Sequence, residues 1–77
     1  MKEAPTNLKE QLAWAYVQSA PESGEAIVWK GAKLDAFRRL EQEGFRKHKL
    51  VLRGDHSKVV VHYWWKAGET PVHLKIK

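Results

Sequence analysis

Three runs rich in β-formers close this 77-residue chain, at 48–53, 58–65 and 72–77, and their alternation of apolar and cationic residues constrains the fold more than any other feature. A one-residue slip in pairing would turn every side chain to the opposite face, so the pattern itself argues for a register. A turn at Gly54, Asp55, His56 and Ser57 pairs Arg53 with Lys58, Leu52 with Val59 and Leu50 with Val61. A second turn at Lys66, Ala67, Gly68 and Glu69 pairs Tyr63 with Val72 and Val61 with Leu74. One face then carries Leu50, Leu52, Val59, Val61, Tyr63, Trp65, Val72, Leu74 and Ile76. The other carries Lys49, Val51, Arg53, Lys58, Val60, His62, Trp64, His73, Lys75 and Lys77, with His62 opposite His73. Antiparallel sheets commonly leave one face in water, and Val51 and Val60 suit partial cover of the cationic face by a helix.

Upstream, residues 1–6 read as a flexible lead. Asn7 followed by Glu10 has the spacing of a capping box, and Leu8, Leu12, Ala15 and Tyr16 share a stripe, which predicts a helix over 8–18. Ser19, Ala20, Pro21, Glu22, Ser23 and Gly24 break it, and Trp14 is either a second buried contact or an exposed anchor. The apolar run 26–29, ending at Trp29, predicts a short strand, with a helix as the alternative. Leu34, Phe37 and Leu40 repeat at helical spacing while Arg38 and Arg39 point elsewhere, so a second helix is expected over 33–43. Gly44 supplies its stop and Phe45 packs back on it. The expected fold is a single α+β domain in the order α-β-α-β-β-β, two helices packed on one face of a three- to four-stranded antiparallel sheet.

A chain of this length buries only about 60% of its unfolded surface, so the core is small. There is no cysteine, which excludes disulfides, thiolate metal sites and thiol nucleophiles. Neither a membrane-length apolar run nor a signal-peptide pattern occurs, and a soluble, cytoplasmic protein is expected. Fourteen Lys and Arg against nine Asp and Glu give a formal charge of +5. From Arg46 onward the cations are Arg46, Lys47, Lys49, Arg53, Lys58, Lys66, Lys75 and Lys77, against only Asp55 and Glu69. Such a field draws polyanions through phosphate contacts and counterion release.

The catalytic candidates are histidines. If His62 and His73 lie together on the sheet, one imidazole can remove a 2′-hydroxyl proton while the other protonates the leaving oxygen. Lys75, Lys49 or Arg53 would stabilise the developing phosphorane charge. His56, beside Asp55 in the first turn, is the other candidate acid or base, although a polar residue in a hairpin turn needs no function. No H-x-x-x-H helix supports a metal site from His56, His62, His73 and Asp55. Trp64 and Trp65 must point to opposite faces of a regular strand. The register sends Trp65 inward and Trp64 outward, where its ring would stack a base or cover Val51 and Val60.

Two stretches resemble known families. Leu40, Glu41, Gln42, Glu43, Gly44 and Phe45, followed by a basic strand, Gly54-Asp55-His56 and a strand containing His62, resemble HicA-type mRNA-interferase toxins. That resemblance implies a double-stranded-RNA-binding-like sheet with His56 in the cleavage role. Residues 34–45 followed by 46–64 resemble the recognition helix and wing of winged-helix DNA-binding domains. Arg38 and Arg39 would then face the groove, with Arg53, His56 and Lys58 in the wing.

The expected function is a small basic nucleic-acid-binding domain, with RNA or single strands favoured over duplex DNA. A sheet face suits unstacked bases better than a groove does. Lys49, Arg53, Lys58, His62, Trp64, His73, Lys75 and Lys77 are the expected contacts, with Arg38 and Arg39 secondary. No catalytic residue is assigned; a metal-independent ribonuclease toxin using His56, or His62 with His73, is the alternative. The third class is a protein-interaction module or small inhibitor anchored by Trp14, Trp29 or Trp64. No cofactor, metal or membrane partner is expected.

Overall fold

Asn7 accepts a hydrogen bond on its side chain from the Glu10 amide at 2.8 Å, which starts the first helix, α1 (Leu8–Ser19). The buried Glu10 carboxylate reaches back to the Thr6 amide and hydroxyl, both at 2.8 Å, so the capping spacing closes one residue earlier than Asn7 itself. After α1 come a 3₁₀ turn (Pro21–Ser23), β1 (Glu25–Ala26), α2 (Asp35–Gln42), β2 (Arg46–Arg53), β3 (Lys58–Trp65) and β4 (Val72–Ile76). This is a computed structural model, and it describes residues 3–27 and 35–77. Val28 and Trp29 of the expected strand, and Lys33 and Leu34 of the expected second helix, lie outside the described residues. The strands form one antiparallel sheet in the order β1-β2-β3-β4.

The β2–β3 register has Arg53 opposite Lys58, Leu52 opposite Val59 and Leu50 opposite Val61, as the alternation predicts. The Gly54 amide closes that turn on the Ser57 carbonyl at 2.8 Å. The β3–β4 register differs. Trp64 pairs with Val72, His62 with Lys75 and Val61 with Ile76, and an irregularity falls between His62 and Trp64. His73, at φ 54°, carries the extra residue of this bulge. His62 therefore stands opposite Lys75 and not His73, and Val72 moves to the face of Trp64. Below the bulge the shift from the expected pairing totals two residues, which returns Lys75 and Ile76 to their expected faces.

The two helices lie on opposite faces of the sheet, which corrects the expectation that they share one. Ala13 and Val17 of α1 join Leu50, Val59, Val61, Tyr63 and Ile76 in the core, with Trp14, Leu52, Trp65 and Leu74 packed around it. The other face meets α2, where Phe37 stacks on Trp64 with ring centroids 5.3 Å apart and planes 10° from parallel. A Schellman motif ends α2: Gly44, at φ 98°, donates to the Glu41 carbonyl at 3.0 Å and Phe45 donates to that of Leu40 at 2.9 Å. Lys66 Nζ adds a hydrogen bond to the Glu43 carbonyl at 2.8 Å and sits 5.2 Å from the centre of the buried Phe45 ring.

The face that α1 buries also differs from expectation. Leu8, Leu12 and Tyr16 are 70%, 57% and 47% exposed and Ala15 is exposed, whereas Ala13 and Val17 are buried. Apolar residues ring this helix, so periodicity alone offers two stripes. Ala13 and Val17 are the side packed on the sheet, with Trp14 at the edge of the same core.

Tyr63, fully buried at the centre of β3, ties the 3₁₀ turn to the sheet through a 2.6 Å hydrogen bond from its hydroxyl to the Pro21 carbonyl. Gly24 crosses directly above it. A Cβ there would overlap the Tyr63 hydroxyl and lie 2.7 Å from the Lys49 carbonyl oxygen, and that backbone atom cannot swing aside. Gly24→Ala is therefore expected to destabilise the fold by about 1–3 kcal/mol, the range for overpacking, measured as a shift in urea midpoint.

Candidate nucleic-acid interface

The face opposite α1 is divided by Phe37. Beyond its cover, Ile27, Val51 and Val60 form the apolar floor of a shallow groove of about 540 Å³, and Lys49, Arg53, Lys58, His62 and Lys77 line it with them. Strand alternation puts the valines and cations on one face, and the β2–β3 register sets Arg53 across from Lys58 and Lys49 across from His62. The Lys77 amide donates to the Val60 carbonyl at 2.9 Å, which holds the chain's last residue beside the floor. Ile27, which continues the β1 pairing by donating to the Lys47 carbonyl at 2.9 Å, closes the other side.

Charge in the groove is largely uncompensated. Lys49 has an exposed ion pair with Glu25 at 3.3 Å, a contact of little energetic weight. Among the described residues no carboxylate pairs with Arg53, Lys58 or Lys77. These three cations face solvent around a greasy floor.

His62 lies where the groove meets a second, smaller cavity. That cavity, of about 110 Å³, is lined by Phe37, Lys47, His62, Tyr63, Trp64, His73 and Lys75. Burial, then the charges of Lys47, Lys77 and Lys49, hold the His62 imidazolium below its ordinary pKa of 6.5. Its Nδ1 is buried without a hydrogen-bond partner among the described residues. Burial and Lys75 likewise lower the Lys47 ammonium.

The depressed His62 pKa has a consequence for stability. The unfolded imidazole takes up its proton as pH falls through about 6.5, before the folded one does, so stability from this group is complete above that value and declines below it. Wild-type protein is expected to lose more stability than His62→Gln between about pH 8 and about pH 5.5, read from urea midpoints at each pH. Equal losses would place the histidine's folded and unfolded protonation on the same footing.

The expected contact residues thus divide. Lys49, Arg53, Lys58, His62 and Lys77 come together in the open groove. Trp64, His73 and Lys75 line the smaller cavity instead, and Lys75 is also 3.9 Å from Glu3. Trp64 is only 3% exposed under Phe37, so it is not the outward stacking platform that alternation predicts. Arg38 lines a third depression of about 690 Å³ with Glu41, Arg46 and Lys47, and Arg39 is exposed elsewhere on α2. His56 is exposed in the turn at the groove's end.

Lys47 and Ile27 were not legible as site residues. Lys47 lies two residues before Lys49 and shares its parity, and β2 begins at Arg46, two residues ahead of the run expected from 48. Another histidine, His48, belongs to packing: it stacks on Tyr63 at 5.5 Å, meets the Trp65 edge at 5.6 Å and bonds the Arg46 carbonyl through Nδ1 at 2.8 Å.

Among the described residues no cluster of His, Asp and Glu is placed to hold a metal ion, and no helix is long and apolar enough to cross a membrane. Neither a protein-family model, a curated protein nor a solved structure matches this chain.

Proposed function

We propose that this chain is a nucleic-acid-binding domain that takes RNA or single strands across the open half of its sheet. The observation that carries the reading is the groove itself, an apolar floor of Ile27, Val51 and Val60 flanked by Arg53, Lys58 and Lys77 without carboxylate partners among the described residues. A duplex offers phosphates to such a rim and keeps its bases stacked, leaving the floor unused. A single strand offers both, phosphates to the cations and unstacked bases to the Arg53 guanidinium plane, the His62 ring and the apolar floor.

A second reading, a metal-independent ribonuclease, is favoured by one observation. His62 and His73 line the same small cavity with Lys47 and Lys75, which collects an acid, a base and two cations although the bulge takes the histidines out of direct opposition. The cavity's size argues for the binding reading, since about 110 Å³ under Phe37 leaves little room for a ribose and its phosphate.

Titration of the protein with a labelled single-stranded RNA, with tRNA and with duplex DNA, at about 50 and about 200 mM salt, separates the readings. Tightest binding to the single strand, weakening with salt and leaving the RNA intact on a denaturing gel, is the expected result. RNA cleavage lost in His62→Ala or His73→Ala would establish the ribonuclease. Absence of binding at low salt to all three would remove the nucleic-acid reading altogether.

A further inference from the structure

The groove's cations are not equivalent, because one position is both titratable and incompletely bonded. His62 stands directly across from Lys49 on β2, and Lys77 bonds the backbone of Val60, two residues before His62 and on the same face. All three line the open groove. The buried Nδ1 of His62 has no hydrogen-bond partner among the described residues, so packing alone holds that edge of the ring in place.

We propose that His62, Lys49 and Lys77 form a phosphate subsite for one phosphodiester of a bound single strand, and that occupancy of this subsite is coupled to uptake of a proton by His62. The inference rests on the nucleic-acid reading and adds to it a position and a proton. Without a ligand, the positive charge around the imidazole and its burial disfavour the protonated form. The charged and titratable groups that share its two cavities are Lys47 and Lys49 on β2, Arg53 and Lys58 at the β2–β3 turn, His73 and Lys75 on β4 and Lys77 just after it, with Glu25 paired to Lys49. Burial opposes its protonation most, followed by the charges of Lys47, Lys77 and Lys49.

A phosphodiester brings one negative charge into that ring of cations. It accepts hydrogen bonds from the two ammonium groups and from the imidazolium, and the charged form of His62 becomes the favoured one. The exposed Glu25 contact to Lys49 is weak enough to be displaced. By linkage, a ligand that favours protonation of His62 binds more tightly as pH falls through the range in which His62 titrates.

The test follows the His62 imidazole resonances by NMR in wild-type protein, alone and saturated with a short single-stranded RNA. Affinity is measured in parallel between about pH 6 and about pH 8 for wild type and His62→Gln. The midpoint of His62 is expected to move upward on binding, and wild-type affinity to rise as pH falls through the bound midpoint, reaching about tenfold for each unit of that movement once pH is below the free midpoint as well. His62→Gln is expected to flatten this rise, so that its affinity deficit relative to wild type is larger at pH 6 than at pH 8. RNA that binds while the His62 midpoint stays in place or falls would overturn the subsite and leave the nucleic-acid reading standing. No binding at any pH would overturn both.

Discussion

Trp64→Ala is expected to destabilise the fold by about 3–5 kcal/mol, the loss typical of a large buried aromatic, and to cost more than Trp65→Ala. Trp64 is 3% exposed and carries the stacked Phe37 ring, a contact that joins α2 to the sheet. Trp65 is half-buried at the rim of the core, with its indole nitrogen bonded to the Glu69 carbonyl at 2.9 Å in the adjoining turn. Urea denaturation of the two variants ranks them. A double-mutant cycle of Trp64 with Phe37 is expected to show a coupling of about 0.5–1.5 kcal/mol, the range for stacked aromatic pairs beyond area burial. A larger loss for Trp65→Ala would mean that α2 does not cover the second face.

The second large effect concerns binding. Arg53→Ala, Lys58→Ala and Lys77→Ala combined are expected to lower single-stranded RNA affinity by roughly 10²-fold at about 0.1 M salt, because each lost phosphate contact removes about 0.7 from the salt slope. The combined variant should therefore also bind with a shallower log–log salt dependence, by about 2. These side chains project from strand ends and from the residue after β4, they are exposed, and no carboxylate among the described residues pairs with them. Stability is accordingly expected to change little, within about 0.5 kcal/mol per surface site. An unchanged salt slope would show that the ligand does not lie in the groove.

The sheet was the legible part of this fold because a period of two leaves little freedom. Arg53 and Lys58 flanking a Gly-Asp turn, with valines and leucines alternating behind them, are compatible with only one β2–β3 register. The β4 register was not legible, since a bulge at His73 depends on a positive φ that histidine seldom adopts. Nor was the face chosen by α1. With Leu8, Leu12 and Tyr16 on one side and Ala13 and Val17 on another, hydrophobicity favours the larger stripe while the smaller is the one packed on the sheet. The reversal of Trp64 and Trp65 has the same origin. Alternation places adjacent residues on opposite faces, but which face a helix covers is decided by a long-range contact, Phe37 on Trp64, that local sequence does not encode.

Half of the candidate site followed from the same logic. Lys49, Arg53, Lys58, His62 and Lys77 share the groove because they share a parity within paired strands. Trp64 left the expected set when Phe37 covered it, and the valines took its place as the apolar surface open to a ligand.

The most direct test of the account is a methyl and amide NMR map of the protein titrated with a short single-stranded RNA. The central claim requires perturbation of the Val51 and Val60 methyl groups and of the Ile27, His62 and Lys77 signals, with Leu8 and Leu12 on the far face unmoved. Perturbation centred on the exposed Leu8, Leu12 and Tyr16 stripe, or confined to α2 with the two valines silent, would contradict it.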